Sequence, residues 1–365
     1  MIKFLDLQQV TAAHAAEIRQ AVCRVADSGW YLHGRECQQF EQRYADYIGT
    51  AHAVGCANGL DALWLMLRAY KELGVLSDGD EVLVPANTFI ATILAITENN
   101  LRPVLVEPSW QTLQIDDRLV EQAITARTRA LMIVHLYGQC AYTDALADIC
   151  RRHGLLLLED NAQAHGCRFG NRRTGSLGHA AAHSFYPGKI IGALGDAGAV
   201  TTSDDRLAEV VRALGNYGFS RKYVSEHRGR NSRLDEIQAA VLNVKLSHVD
   251  EDIERRKQVA ERYREGIRHP LVTIPAPTHR DSHVYHLFPV LSPRRDALAA
   301  HLSERGIETL VHYPIPPHKQ ACYAEWNSLS LPVTEQIHRE ELSLPMSPCL
   351  TDEEVEQVIA AVNSF

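Results

Sequence analysis

The chain has 365 residues, of which 45% are hydrophobic and 22% are charged. This composition is typical of a globular protein of roughly two domains, and it excludes disordered and fibrous classes. The formal net charge of -8 argues against a general nucleic-acid binder, which would carry a basic surface to neutralise phosphates. We therefore expect no nucleic-acid partner, and we expect any anionic ligand to be bound by a few local groups.

The sequence shows no pattern of a membrane span or a metal site. No stretch approaches the ~18 consecutive apolar residues that cross a bilayer, and residues 1–7 lack the pattern of a secretion signal. The eight cysteines form no CxxC pair, which argues against a zinc site and against a disulfide framework. We predict a cytoplasmic protein without a membrane partner or a bound metal, whose cysteines are reduced and mostly buried.

Apolar runs alternate with helical stretches from about residue 50 to residue 215. The runs are short and bounded by polar residues, as in the buried strands of a parallel sheet, and they lie at 81–84, 102–106, 130–134, 155–159 and 183–186. Helical patterns at 116–124 and 143–152 lie between them. The first two-thirds of the chain is therefore predicted to be α/β, with a sheet covered on both faces.

The pattern changes after residue 234. One charged helix is predicted from 234 to about 267, and a strand-like alternation follows at 284–290. Further helices are predicted near 296–305 and 352–362. We predict a large α/β domain at residues 1–245 and a small α+β domain at residues 246–365.

Lys189 is the most informative residue of the chain. It ends the run Ser-Phe-Tyr-Pro-Gly-Lys at 184–189 and precedes a glycine-rich run at 192–198. Asp160 follows a predicted buried strand, at the carboxyl end where open α/β sheets form ligand sites. A lysine amine can bond covalently to an aldehyde cofactor, and a carboxylate can keep a pyridine nitrogen protonated. Asp160 alone could be a helix N-cap, but together with Lys189 it indicates a pyridoxal phosphate enzyme.

Three other residues are candidates for binding such a cofactor. Gly59 opens a predicted helix, so its backbone N–H is free to bind a phosphate in the field of the helix dipole. Ser184 could add a hydroxyl donor, and Phe89 is a candidate ring to stack on the pyridine. Taken singly, the glycine is an ordinary turn before a helix and Phe89 is an ordinary core residue.

The order of these motifs resembles the DegT/DnrJ/EryC1/StrS family of nucleotide-sugar aminotransferases, a branch of the fold type I pyridoxal phosphate enzymes. Matching segments occur along essentially the whole chain, at residues 4–7, 29–34, 84–89, 135–139 and 343–346. The resemblance implies a large domain with a mostly parallel seven-stranded sheet between helices. It also implies a smaller α+β domain at the C-terminal end.

The resemblance also implies roles for the residues that bind the cofactor ring. Lys189 would hold pyridoxal 5'-phosphate covalently and would later move protons as general acid and base. Asp160 would pair with the ring nitrogen, and Gln163 would hydrogen-bond the ring hydroxyl. Dehydratases of this family carry histidine at the lysine position, so Lys189 favours transamination.

The phosphate site implied by the resemblance includes a second subunit. The backbone of Gly59 and Leu60, with the Ser184 hydroxyl, would bind the phosphate. Asn231 would reach the cofactor phosphate of the neighbouring subunit, so that an obligate homodimer is expected. Leu60 stands where the family usually has threonine, and Ile190 stands where asparagine often follows the lysine. Neither departure is expected to abolish cofactor binding.

The expected reaction moves the amino group of L-glutamate to a nucleotide-linked keto sugar. The run at 312–320 resembles members that aminate C-3 of a hexose, and the run at 57–63 resembles the dTDP-3-keto-6-deoxyhexose subgroup. We predict C-3 amination of a dTDP-linked 6-deoxy sugar, in amino-sugar biosynthesis such as that of lipopolysaccharide O-antigen. Alternatives are a UDP-linked 3-keto uronic acid 3-aminotransferase, a C-4 aminotransferase and a non-catalytic regulator that keeps the fold and the cofactor.

Candidate substrate contacts come from the resemblance at 312–320 and, separately, from a local cluster of basic residues. His312 and Tyr313 would lie near the sugar, and His286 is a weaker candidate. Tyr223 and Arg233 belong to a segment rich in basic residues, which suits a diphosphate. The alternative for each histidine is a structural hydrogen bond, and for most of the basic segment it is a solvated loop.

Overall fold

The computed structural model describes residues 1–277 and 280–365. In chain order the strands are β1 (His52–Cys56), β2 (Glu81–Pro85), β3 (Arg102–Val106), β4 (Thr128–Val134), β5 (Leu156–Asp160), β6 (Arg168–Phe169), β7 (Arg172–Arg173), β8 (Ala180–Ser184), β9 (Gly198–Thr202), β10 (Phe219–Arg221), β11 (Val224–Ser225), β12 (Phe288–Leu291) and β13 (Glu341–Leu344). The α-helices are α1 (Leu7–Ala12), α2 (Ala15–Ser28), α3 (Arg35–Ile48), α4 (Gly59–Glu72), α5 (Ile90–Glu98), α6 (Asp117–Val120), α7 (Asp144–His153), α8 (Asp205–Gly215), α9 (Glu236–Leu246), α10 (Val249–Gly266), α11 (Arg295–Glu304), α12 (Pro332–Glu340) and α13 (Asp352–Asn363). Short 3-10 helices cover Glu121–Ala123, Leu136–Gly138, Arg280–Ser282, Pro317–Lys319 and Ala321–Trp326.

Seven strands form one sheet in the order β1-β9-β8-β5-β4-β2-β3. The neighbours from β8 to β3 run parallel, and β9 runs antiparallel to both β1 and β8. Strand β4 shows how both faces are covered, because Ala130 and Met132 join one apolar cluster while Leu131 and Ile133 join another on the opposite face. The predicted α/β fold with a mostly parallel seven-stranded sheet is therefore confirmed.

The long helix predicted at 234–267 is wrong, because the chain forms two helices there. Helix α9 ends at Leu246, and α10 starts at Val249. The guanidinium of Arg43 donates to the Asn243 carbonyl oxygen at 2.7 Å and to the Ser247 hydroxyl at 2.8 Å. The hydrogen bond to the Asn243 carbonyl oxygen caps the end of α9, where the chain turns. A contact between residues 200 positions apart cannot be predicted from local periodicity.

The strand-like pattern predicted at 284–290 is only partly a strand. Strand β12 begins at Phe288 and pairs antiparallel with β13. The Val284 N–H donates to the Gly138 carbonyl oxygen, and the Leu287 N–H donates to the Tyr137 carbonyl oxygen. This segment therefore binds the loop that follows β4, so its alternation reflects burial against that loop. The predicted helix at 116–124 is also shorter, since α6 passes into a 3-10 turn at Glu121–Ala123.

The C-terminal elements have an apolar core of their own. Side chains of α10, α11, α13, β12 and β13 pack together, and Ile2 from the start of the chain joins them. The domain boundary between residues 245 and 246 remains a prediction. All eight cysteines are free, and five of them are buried. No helix among the described residues is both long and apolar enough to cross a membrane.

Candidate active site

A cleft of about 1100 Å³ opens at the carboxyl ends of the parallel strands, where α/β sheets bind ligands. Its wall also includes residues near the chain start and residues of the C-terminal region, among them Phe4, Leu310 and Met346. The predicted site residues that line it are Gly59, Leu60, Phe89, Asp160, Gln163, Ser184, Lys189, His286, His312 and Tyr313. Residues far apart in the sequence therefore meet in one cavity.

Lys189 projects from a loop rather than from a strand end. The predicted strand at 183–186 stops at Ser184, and a turn closed by the Lys189 N–H and the Tyr186 carbonyl oxygen follows. Burial of the amine lowers the Lys189 pKa to about 8, and the charge of Asp160 opposes this shift. A lysine that is partly neutral near neutral pH can react with an aldehyde.

Asp160 is a buried carboxylate at the last position of β5, and only 5% of it is exposed. Its Oδ2 accepts a hydrogen bond from the Thr92 hydroxyl at 2.8 Å, and its Oδ1 accepts one from the Ala162 N–H at 3.2 Å. Neither donor is charged, and burial raises the Asp160 pKa. A protonated ring nitrogen would supply the missing cation, so this carboxylate fits the expected cofactor.

Thr92 was not predicted from the sequence, although it supports Asp160 directly. Its hydroxyl also lies 2.8 Å from the Thr88 hydroxyl, so two hydroxyls in series lead to the carboxylate. Both threonines are buried at the start of α5. Their spacing of four residues was the available signal, but nothing in the sequence showed that β5 ends beside this turn.

We expect Thr92→Val to weaken binding of pyridoxal phosphate by about 10 to 100-fold, because a hydrogen bond to a charged group contributes roughly 1.5–3 kcal/mol. Thr92→Ser keeps the hydroxyl and should bind nearly as tightly as the wild type. Equilibrium titration of the apo-protein measures both affinities. Equal affinities for the valine variant and the wild type would show that Thr92 does not support Asp160.

The start of helix α4 forms a cradle suited to an anion. The Asn58 side chain accepts a hydrogen bond from the Asp61 N–H at 2.8 Å, which leaves the N–H groups of Gly59 and Leu60 without an acceptor among the described residues. A Cβ atom at Gly59 would lie 2.5 Å from the Ser184 Cβ, so only glycine permits this close approach. Two free amides beside a serine hydroxyl fit a phosphate.

Gln163 connects the strand end to the substrate side of the cleft. Its Oε1 accepts from the Tyr137 N–H at 2.6 Å, and its Nε2 donates to the Tyr313 hydroxyl at 3.1 Å. Its oxygen is therefore engaged, and the amide nitrogen is the atom left to donate to a ring hydroxyl. The Phe89 ring lies 5.0 Å from the Tyr313 ring and is 47% exposed, which offers an open face to a planar ligand.

Two histidines line the sugar side of the cleft. His312 Nδ1 lies 2.9 Å from the Ser343 hydroxyl, and burial together with the charge of Lys189 lowers its pKa to about 4. His286 is buried, and its Nδ1 has no hydrogen-bond partner among the described residues. Burial and Lys189 lower the His286 pKa as well. Both imidazoles are therefore neutral groups facing the cavity.

The remaining predicted residues do not line the cleft of their own chain. Tyr223 is 80% exposed on the turn between β10 and β11, and the Arg233 guanidinium lies 5.5 Å from the Tyr217 ring centroid. Asn231 forms an isolated backbone bridge with Asn216. Roles for these residues remain predictions, and the role of Asn231 concerns a second subunit.

The sequence matches the profile of the DegT/DnrJ/EryC1/StrS aminotransferase family over residues 12–363. It is 51% identical to the dTDP-3-amino-3,6-dideoxy-alpha-D-galactopyranose transaminase of Aneurinibacillus thermoaerophilus, over 100% of this chain and 99% of that protein. It is 47% identical to the dTDP-3-amino-3,4,6-trideoxy-alpha-D-glucose transaminase of Streptomyces venezuelae, over 100% of this chain and 96% of that protein.

The fold agrees with a solved structure of similar sequence. S. venezuelae DesV, solved in complex with a ketimine intermediate, matches with a TM-score of 0.96 and 47% identity, over 100% of this chain and 98% of that chain. The family match and these similarities extend along nearly the whole sequence. The chain therefore belongs to the DegT/DnrJ/EryC1/StrS family and is a pyridoxal phosphate-dependent sugar aminotransferase.

Proposed function

We propose that this aminotransferase moves the amino group of L-glutamate to C-3 of a dTDP-linked 3-keto-6-deoxyhexose. The observation that carries the proposal is the pairing, in one cleft, of a lysine whose pKa is lowered to about 8 with a buried carboxylate that has no charged hydrogen-bond donor. The names of the A. thermoaerophilus and S. venezuelae relatives support the dTDP-linked, 3-amino product.

Different residues of the cleft bind different parts of the cofactor. Asp160 holds the ring nitrogen, Gln163 the ring hydroxyl and Phe89 a face of the ring. The amides of Gly59 and Leu60, with the Ser184 hydroxyl, hold the phosphate. When bound, pyridoxal phosphate supplies an electron sink for the carbon that carries the amino group.

Lys189 is the group that moves protons at the reacting carbon. Its amine is close to half protonated at pH 8, so it can both accept and donate a proton there. Apolar side chains on the sugar side, including Ile307, Leu310 and Met346, favour the methyl group of a 6-deoxy sugar over a hydroxymethyl group.

A homodimer would supply positive charges that the cleft of one chain lacks. Lys189 is the single lysine or arginine among the described residues that line the cleft, yet glutamate and a nucleoside diphosphate bring several negative charges. We propose that the basic segment around Arg233 of a second subunit, together with Tyr223, meets these charges, and that Asn231 contacts the cofactor phosphate across the interface. A cytoplasmic location and a role in O-antigen amino-sugar synthesis belong to the same proposal.

A substrate panel tests the proposed specificity. The holoenzyme and L-glutamate are mixed with a dTDP-linked 3-keto-6-deoxyhexose, a dTDP-linked 4-keto-6-deoxyhexose or a UDP-linked 3-keto uronic acid, and the release of 2-oxoglutarate is followed. We expect kcat/KM for the first sugar to exceed the others by at least about tenfold, since a small change in a shaped pocket costs ~1–3 kcal/mol. Preference for another sugar would refute the assigned substrate, and no reaction with glutamate would favour the non-catalytic alternative.

A further inference from the structure

The cleft residue His312 packs against the buried strand β13, which carries one acidic residue, Glu341. The segment ending at His312 runs antiparallel to β13, because Leu310 and Ser343 exchange backbone hydrogen bonds at 3.3 and 2.7 Å. In that register His312 lies opposite Glu341. Glu341 and Ser343 are two residues apart on one strand, so their side chains share a face.

Three short contacts connect Glu341, Ser343 and His312, two of them between side chains and one from the His312 backbone N–H. The Ser343 hydroxyl lies 2.6 Å from Glu341 Oε1 and 2.9 Å from His312 Nδ1. The other carboxyl oxygen of Glu341 accepts the His312 backbone N–H at 2.6 Å. Glu341 and Ser343 are both fully buried. His312 is half-buried and lines the cleft, and its Nε2 has no hydrogen-bond partner among the described residues, so Nε2 is the atom left to meet a ligand in the cleft.

The Ser343 hydroxyl has one hydrogen and lies between Glu341 Oε1 and His312 Nδ1, so two hydrogen-bond arrangements are possible. When Glu341 is ionised, the Ser343 hydroxyl donates to it and accepts from His312 Nδ1–H, which leaves Nε2 as an acceptor. When Glu341 carries a proton, it donates to the Ser343 oxygen, and the Ser343 hydroxyl donates to Nδ1. Nε2 then carries the hydrogen and becomes a donor. The imidazole is neutral in both arrangements.

We propose that Glu341 and Ser343 form a proton relay through which His312 Nε2 exchanges one proton with an oxygen atom of the keto sugar. This inference rests on the proposed function. The keto oxygen leaves as water during amination and takes up two protons, while the incoming amino nitrogen loses two. The relay supplies one proton to the oxygen, the nitrogen supplies the other, and the second proton lost by the nitrogen later restores Glu341 to its protonated form. As Nε2–H passes to that oxygen, the Ser343 hydrogen passes to Nδ1 and the Glu341 hydrogen to Ser343. Three bonds to hydrogen break, three form, and Glu341 is left as a carboxylate.

Burial, together with the charge of Lys189 near His312, favours storing the proton on Glu341 rather than on the imidazole. Burial and, to a smaller extent, the charge of Lys189 lower the His312 pKa to about 4, so an imidazolium is unfavourable in the cleft. Burial raises the Glu341 pKa to about 8, although the hydrogen bonds from Ser343 and the His312 N–H, and the charge of Arg295, oppose this shift. The Arg295 guanidinium donates to the Glu341 carbonyl oxygen at 3.1 Å. Tyr137 and Tyr313 are the other titratable groups near Glu341, and burial raises the pKa of both phenols, so they stay neutral.

The tautomer of His312 tests the relay without any substrate. In ¹⁵N-histidine spectra of the holoenzyme, the His312 signal is identified by its loss in His312→Gln. We expect a neutral Nε2–H imidazole at pH 6.5 and a neutral Nδ1–H imidazole at pH 9.5. Glu341→Gln should hold the Nε2–H form at both pH values, because its amide oxygen keeps the hydrogen bond from the His312 backbone N–H, so that its amide nitrogen faces Ser343 and donates to it. A charged His312 at pH 6.5, or a Glu341→Gln spectrum that changes with pH as the wild type does, would overturn the relay.

Kinetics test whether the relay serves the sugar. We expect Ser343→Ala and Glu341→Gln to lower kcat with the keto sugar at least about tenfold, with KM changed less than about threefold, because a lost proton donor affects the transition state more than binding. Ser292→Ala, at a buried serine outside the cleft, is the matched control and should keep the wild-type kcat. Wild-type kcat in both relay variants would refute the role of the relay in turnover. An inactive wild-type enzyme would instead refute the proposed function, and the relay would then be tested by the ¹⁵N-histidine spectra alone.

Discussion

Lys189→Ala should lower kcat by at least about 10⁴-fold, because one amine both bonds to the cofactor and moves protons at the reacting carbon. Borohydride reduction followed by mass spectrometry should fix pyridoxal phosphate to the wild-type protein at Lys189 and to no residue of the variant. The lowered Lys189 pKa gives the reason that this lysine, half-buried in the cleft, is the one that reacts.

Lys257→Ala is the control for that experiment. Lys257 lies outside the cleft and pairs at 2.9 Å with Asp281, whose side chain is 55% exposed, and ion pairs open to solvent contribute little to stability. The control should keep both the cofactor bond and the wild-type kcat. Steady turnover by Lys189→Ala, with the control also active, would show that another group moves the proton.

Asp160→Asn should weaken binding of pyridoxal phosphate by about 10² to 10³-fold and slow turnover as well. The carboxylate has only neutral hydrogen-bond donors, so a ring cation would be its charge partner, and removing one member of a buried pair costs roughly 3–5 kcal/mol. The substitution also removes a charge that raises the Lys189 pKa. Since only the neutral amine captures the aldehyde, the midpoint of pyridoxal phosphate capture against pH should move to lower pH in Asp160→Asn.

The control for Asp160 is Asp205→Asn, at a surface carboxylate whose side chain is 84% exposed and pairs with His52. It should leave the affinity, kcat and capture midpoint unchanged. Wild-type affinity in Asp160→Asn would contradict the assignment of this carboxylate to the ring nitrogen.

The sequence was sufficient where local patterns determine position. Asp160 ends an apolar run that indicates a buried strand, and Lys189 follows the next predicted strand, so both were expected at one edge of the sheet. Gly59 was a candidate because a glycine at a helix start exposes its backbone N–H to an anion, although the same pattern by itself is that of an ordinary turn before a helix. The structure places all three in the cleft.

The sequence was insufficient where tertiary contacts determine the outcome. Thr92 contacts Asp160 only because α5 begins beside the end of β5. Glu341 contacts His312 only because β13 pairs with the segment that leads up to His312. The break between α9 and α10 depends on Arg43, some 200 residues earlier in the chain. Periodicity reports a single element at a time, so none of these contacts could be predicted from it.

The central claim is tested most directly by following ¹⁵N from glutamate to the sugar product. The holoenzyme is incubated with L-[¹⁵N]glutamate and a dTDP-linked 3-keto-6-deoxyhexose, and the sugar product is examined by NMR for coupling between ¹⁵N and the ring. The account predicts ¹⁵N on C-3 and one 2-oxoglutarate for each amino sugar. Label on C-4, or a sugar without label while the wild-type protein holds its cofactor, would contradict it.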